Sequence, residues 1–144
     1  MASDDDLERF VTAQDDGGTY ERALAELRAG RKTSHWMWFV LPQIAGLGMS
    51  GTARFYGVRS LEEARAYLAH PVLGGRLRTC MAAVADSTAA SAEALLGGID
   101  AMKARSSATL FLRADPSDPV YRRVLDRFFD GEPDAATDRL LAAG

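Results

Sequence analysis

Ser34-His35-Trp36-Met37-Trp38-Phe39-Val40-Leu41-Pro42 is the stretch on which the fold turns. Its apolar run from Trp36 to Leu41 reads equally as a buried strand or as a short buried helix. As a strand it would feed Gly46-Leu47-Gly48-Met49-Ser50-Gly51, which matches G-x-G-x-x-G. The two together would open a parallel α/β fold with a pyrophosphate at a helix N-terminus. The surroundings argue against this. Pro42 and Gln43 interrupt the junction of strand and turn, and Gly57 falls inside what should be the phosphate-facing helix. Nothing later alternates strand with helix, as a parallel sheet requires. The glycines of Ile44 to Gly57 therefore read as loop turns. Ser34 is a candidate N-cap of whatever Pro42 terminates.

Outward from this stretch the chain reads as helix after helix. Leu7 to Gln14 suits a short helix opened by an acidic stretch. Gly17-Gly18 breaks it, Thr19 can cap the next, and Tyr20, Leu24 and Leu27 fall at helical spacing before Gly30. Ser60-Leu61-Glu62-Glu63 has the spacing of a capping box, in which serine and glutamate each satisfy an orphan backbone N–H. Leu61, Ala64 and Leu68 form the buried stripe behind it. His70-Pro71 opens another helix, with Pro71 at a tolerated first-turn position and Leu73, Leu77, Cys80 or Met81, and Val84 inward. Ser91 can cap a short helix ending at Gly97-Gly98. Asp100 can cap one running to about Leu112 with Ala101, Ala104, Ala108 and Phe111 inside. Asp118-Pro119 opens a helix with Val120, Val124 and Phe128 beside Tyr121, Leu125 and Phe129, closed by Gly131. Asp134 to Ala142 completes the set. The expectation is one compact all-α domain spanning residues 1–144, of about six to eight short helices.

Composition narrows the function. The formal charge of −3 and the lack of a basic run argue against phosphate-neutralising nucleic-acid binding. No apolar run approaches the roughly 20 residues that span a bilayer, so no membrane partner is expected. The acidic start, Met1 to Asp6, is unlike a secretory signal, and a cytoplasmic location follows. Cys80 stands alone, which excludes an internal disulfide. The two histidines, His35 and His70, form no ligand pair at helical spacing, so neither a metal nor a cofactor is called for. Fifteen arginines accompany only two lysines, Lys32 and Lys103. A lysine kept against such a bias can mark a site that wants a compact ammonium rather than a planar guanidinium.

Two constellations carry chemistry. The first is Lys32, Ser34, His35, Trp36, Trp38 and Gln43. As a core segment, its tryptophans supply large buried area. As a pocket, it offers an aromatic wall, an ammonium and an imidazole to a small anion. The second is Asp100, Lys103, Ser106 and Ser107, with positions 100, 103 and 107 on one helix face. A capping aspartate before a solvated face explains most of it, but two serines in mid-helix are poor helix formers and hint at another partner. Gly30-Arg31-Lys32-Thr33 is not a P-loop, because Arg31 separates glycine from lysine and a helix precedes. Gly48-Met49-Ser50 lacks the later glycine of a nucleophile elbow.

The string Lys32-x-Ser34-His35-Trp36-Met37-Trp38-Phe39-x-x-Pro42-Gln43, followed by Gly46-Leu47-Gly48, resembles the signature of a bacterial domain-of-unknown-function family, number eighteen-ten. Some members of that family carry the label "calpastatin". The likeness continues through Tyr56-Gly57, Ala64-x-x-Tyr67-Leu68, His70-Pro71-Val72-Leu73, Leu77, and Lys103-x-x-Ser106-x-x-Thr109-Leu110-Phe111. It implies a small all-helical fold, which makes Trp36 to Leu41 helical, and it implies no established activity.

Two functional readings follow. In the first, both constellations converge on one pocket that binds, and in an extension hydrolyses, a small anionic or nucleotide-like metabolite. Lys32 or Lys103 holds the anion, Trp36 or Trp38 stacks on a planar ring, and His35 is the general acid–base candidate. Ser34, Gln43, Ser106 and Ser107 complete the polar lining. This requires Lys32, His35 and Lys103 to approach one another. In the second, the aromatic segment and the Gly46–Gly57 loop form a non-catalytic surface for a protein partner, which requires exposed tryptophan or a large apolar patch.

Overall fold

The computed structural model describes residues 4–143; Met1 to Ser3, the start of the acidic segment, and Gly144 lie outside them. All the regular elements among the described residues are helices, and the sole extended pairing among them is a parallel bridge between Ile44 and Val58. The order is α1 (Asp4–Asp15), α2 (Thr19–Ala29), α3 (Met37–Val40), α4 (Gly51–Tyr56), α5 (Leu61–Ala69), α6 (Leu73–Ala85), α7 (Ala92–Leu96), α8 (Gly98–Ala114), α9 (Pro119–Phe128) and α10 (Ala135–Ala143). Two of these, α3 and α7, are single turns of 4 and 5 residues, and the others number as the sequence leads one to expect.

Helix α8 is the axis. It packs against α5, α7, α9 and α10, while α6 joins α2, α5 and α9. Ala101, Ala104 and Ala108 bury the inner face of α8, and their small side chains let neighbouring helices approach. A file of aromatic rings crosses the core: Phe10 to Tyr67 at 5.1 Å, Tyr67 to Phe111 at 5.3 Å, and Phe111 to Tyr121 at 6.1 Å. Edge-on and tilted pairs of this kind add to the burial itself. Helices α3 and α4 lie against each other, with α1 behind α3.

The helix starts follow local chemistry, with instructive departures. Ser50, Ser60, Ser91 and Asp118 each accept a backbone N–H of their own first turn. Thr19 does not cap α2. Gly18 takes that position with φ of 71°, and the Thr19 hydroxyl donates back to the Asp16 carbonyl at 2.7 Å. The capping box at Ser60 closes on one side only. Its oxygen accepts from Glu63 N at 3.0 Å, but the Glu63 carboxylate takes Arg59 N at 3.1 Å and pairs with Arg9 at 3.0 Å. Helix α6 begins after Pro71, because the His70 Nδ1 accepts from Val72 N at 3.1 Å and Leu73 N at 3.3 Å.

The glycine-rich stretch is not all loop. It holds α4, started by Ser50, whose oxygen accepts from Ala53 N at 3.1 Å. Its glycines answer to close packing: a Cβ at Gly48 would lie 2.5 Å from the Ala53 Cβ, and one at Gly57 2.8 Å from the Ala45 Cβ. The apolar run from Trp36 to Leu41 forms just one helical turn, α3, with Trp36 rather than Ser34 in the capping position. None of the described helices is long and apolar enough to cross a membrane.

Candidate functional site

The connection from α2 to α3 is tied to three helices. Glu26, on the inner face of α2, accepts from Thr33 N at 2.8 Å, Ser34 N at 3.0 Å and Trp36 Nε1 at 2.9 Å through one oxygen. Its other oxygen accepts from the Ser34 hydroxyl at 2.5 Å. Burial alone would raise this carboxyl, but the hydrogen bonds from Ser34, Thr33 and Trp36 outweigh it and hold the group at about 2. Next in the chain, Lys32 N donates to the Leu95 carbonyl of α7 at 2.7 Å. The Lys32 ammonium donates to the Ser34 carbonyl at 2.5 Å and pairs with Asp100 of α8 at 2.9 Å.

Asp100 therefore does not cap α8. It stands in the first turn, with Gly97 in the capping position, and spends both oxygens on lysines. The second is Lys103, at 3.5 Å one turn on. Each lysine also lies near a tryptophan: Lys32 Nζ is 5.1 Å from the Trp36 ring centre and Lys103 Nζ 4.6 Å from that of Trp38. A single carboxylate thus faces two ammonium groups, at a helix N-terminus whose dipole is also positive.

These groups border an open cleft of about 410 Å³. Lys32, His35 and Trp38 form one wall; the 96–100 turn and Lys103 form the other. Gly97 and Gly98 leave the floor open, since a Cβ on either would meet nothing within 4 Å. Behind the Trp38–Lys103 pair lies a separate cavity of about 10 Å³, bordered by Gln43 and Tyr56. That is room for one water. Trp38 and Lys103 border both spaces.

The structure thus brings Lys32, His35, Trp38, Asp100 and Lys103 to one cleft and sets the other sequence candidates apart. Trp36 is fully buried, its N–H bound to Glu26. The Ser34 hydroxyl is likewise committed to Glu26. Gln43 stands on the inner side of the Trp38–Lys103 wall. Ser106 donates to the Met102 carbonyl at 3.2 Å within its own helix, and Ser107 is buried with its hydroxyl unpartnered among the described residues. Neither serine borders the cleft. His35 is exposed at the rim. Glu26, Leu96 and Ile99 are the residues that pattern alone does not single out. Glu26 carried one signal, a carboxylate beside Ala23 and Leu27 on the buried face of α2.

Residues 4–141 match the model of a family described as proteins of unknown function, DUF1810. The chain belongs to the DUF1810 family. The resemblance in the Lys32–Gln43 signature is thereby established over almost the whole sequence. Among solved structures, the conserved hypothetical protein Rv1873 from Mycobacterium tuberculosis is similar at 47% identity and a TM-score of 0.91. The similarity covers 95% of this chain and 96% of that one. No curated protein matches significantly. DUF1810 membership carries the helical architecture and no assigned activity, so the chemistry of the cleft is the basis for a functional reading.

Proposed function

We propose that the cleft between the Lys32–Trp38 segment and the start of α8 binds a small organic anion. The observation that carries this is the convergence of the chain's only two lysines on one carboxylate, Asp100, at the mouth of an open cleft. Asp100 answers one of the two ammonium charges, which leaves room for a second anion. An incoming phosphate or carboxylate meets Lys103 as a mobile point charge and the positive end of α8. His35, at the rim, adds a donor and, when protonated, a further charge. Nucleotide-like molecules belong to this class of ligand. Hydrolysis needs a base whose ring is held in place by a third group, and among the described residues none bonds to the His35 ring. The geometry therefore favours binding over turnover. Cys80, the single thiol, takes no part, since burial pushes it up to about 12. Its inertness suits a cytoplasmic protein.

Thermal unfolding in the presence of inorganic phosphate, AMP and ADP-ribose tests the proposal. A ligand selective for the native state raises the melting temperature, increasingly as its free concentration exceeds its Kd. The expected result is a rise with at least one of these anions that K103M abolishes. No rise with these or with any other organic phosphate or carboxylate sinks the reading.

A second reading is favoured by Met49 and Phe55, both exposed in the 46–57 segment. They offer an apolar contact for a protein partner, though without help from the tryptophans, neither of which is exposed. Loss of a partner on M49S/F55S substitution, with anion binding intact, would support that reading.

A further inference from the structure

We propose that the anion bound in the cleft is amphiphilic, with its charged head at Lys103 and an apolar body lying along Leu96, Ile99 and Met102. This rests on the reading of the cleft as an anion site. Ile99 and Met102 are 75% and 72% exposed, adjacent on the surface of α8 at i, i+3 spacing. Few large hydrophobic side chains stand so exposed in the described residues, and these two share one edge of the molecule. Ile99 also borders the cleft, as does Leu96 beneath it. Lys103 lies one turn beyond Ile99 at i, i+4, so cation and apolar strip form one continuous surface.

The substituent of an anion held at Lys103 has two places to go. One is the Trp38 ring, but the Lys103 ammonium already lies over it at 4.6 Å. A base stacking there displaces a cation–π contact and loosens the pairing with Asp100. The other is the Ile99–Met102 strip, which is in water and gains by being covered. The first turn of a helix ordinarily favours acidic or capping side chains, so an exposed isoleucine there does not serve the helix start, and an exposed methionine in the next turn does not serve solubility. Methionine, flexible and polarisable, also tolerates variation in the chain it covers. The structure thus favours an alkyl- or aryl-bearing phosphate or carboxylate over a nucleotide.

Calorimetric titration of the full chain separates the alternatives. The probes are inorganic phosphate, AMP, and hexyl phosphate and hexanoate kept below their micelle concentrations. At least one hexyl anion is expected to bind about tenfold or more tightly than inorganic phosphate, a gain that burial of a few methylenes supplies. I99S/M102S changes two exposed side chains, and it should bring the hexyl anion down to the level of inorganic phosphate without altering phosphate binding. K103M should weaken both. Hexyl anions binding within about twofold of inorganic phosphate, or indifferent to I99S/M102S, overturn the proposal while leaving the anion site standing. AMP binding tightest of the four, and responding to W38F, overturns it in the same way. Co-sedimentation with phosphatidylglycerol vesicles, without binding of the monomeric hexyl anions, overturns it in favour of a membrane surface. If none of the four anions binds, the anion reading itself falls.

Discussion

Trp36 and Trp38 stand two residues apart in one aromatic run and do opposite work. Trp36 is 0% exposed and gives its indole N–H to an ionised, buried carboxylate, that of Glu26. Trp38 is half-buried, carries Lys103 over its ring, and walls an outer cleft from an inner cavity. In a strand, residues two apart share a face; in a helix they lie roughly 200° apart. The helical turn that begins between them therefore sends one ring to the core and leaves the other at the surface. Each ring has a lysine beside it, and both lysines end on Asp100. The core anchor and the cleft wall are thus joined through one carboxylate. A rigid core residue fixes where the polar groups of the cleft stand, which is what a preorganised site needs.

The largest expected effect breaks the anchor. Glu26→Ala orphans four donors on Thr33, Ser34 and Trp36, and should remove about 3–5 kcal/mol from the free energy of unfolding in urea. A loss under about 1 kcal/mol would mean that water replaces the carboxylate and that Trp36 is not anchored there. The next tests the comparison directly. Trp36→Phe loses a hydrogen bond to a charged group and some core volume, about 2–4 kcal/mol, whereas Trp38→Phe should stay within about 1 kcal/mol. Equal losses would erase the distinction between the two rings.

Acid sharpens it further. The Glu26 carboxyl is held at about 2, below the roughly 4.3 of an unfolded chain. Its contribution to stability is therefore complete above the unfolded value and drains away as pH falls from there towards 2. Glu26→Gln, which keeps the shape, should be less stable near neutrality and show a shallower loss of stability between those limits, measured by urea unfolding at each pH. A slope identical to that of the unsubstituted protein would remove Glu26 as its source. The smallest stability effect is expected at Lys103. Its ammonium is partly solvated, so Lys103→Met should change stability by about 0.5–1 kcal/mol while altering the Trp38 emission spectrum. An unchanged spectrum would separate Lys103 from the Trp38 ring.

Much of the fold was legible in local pattern. Serines and an aspartate ahead of apolar stripes mark the starts of α5, α7 and α9, because a cap and its orphan N–H lie within three residues of each other. Gly30 ends α2 with φ of 85°, a conformation open to it for lack of a Cβ. The family signature lay in the same reach, since it is a string of residue types. The two lysines also stood out, by their rarity.

What local pattern left undecided was set by contacts distant in sequence. Ser34 has the look of a cap, yet its hydroxyl goes to Glu26, eight residues back on another helix. Asp100 has the look of a cap too, but Lys32 reaches it from the far end of α2, and a charge-assisted bond outweighs a cap. The glycines between residues 46 and 57 read as turns, while Gly48 and Gly57 are where a neighbouring alanine, Ala53 or Ala45, leaves no room for a Cβ. Sequence by itself determined the helices, their stops, and which residues were rich in chemistry. Only the docking of the α2–α3 connection on α7 and the start of α8 decided which of those residues face one cleft. Hydrogen bonds within a helix connect residues four apart, whereas a site is made by side chains whose neighbours are fixed only once the chain has closed on itself.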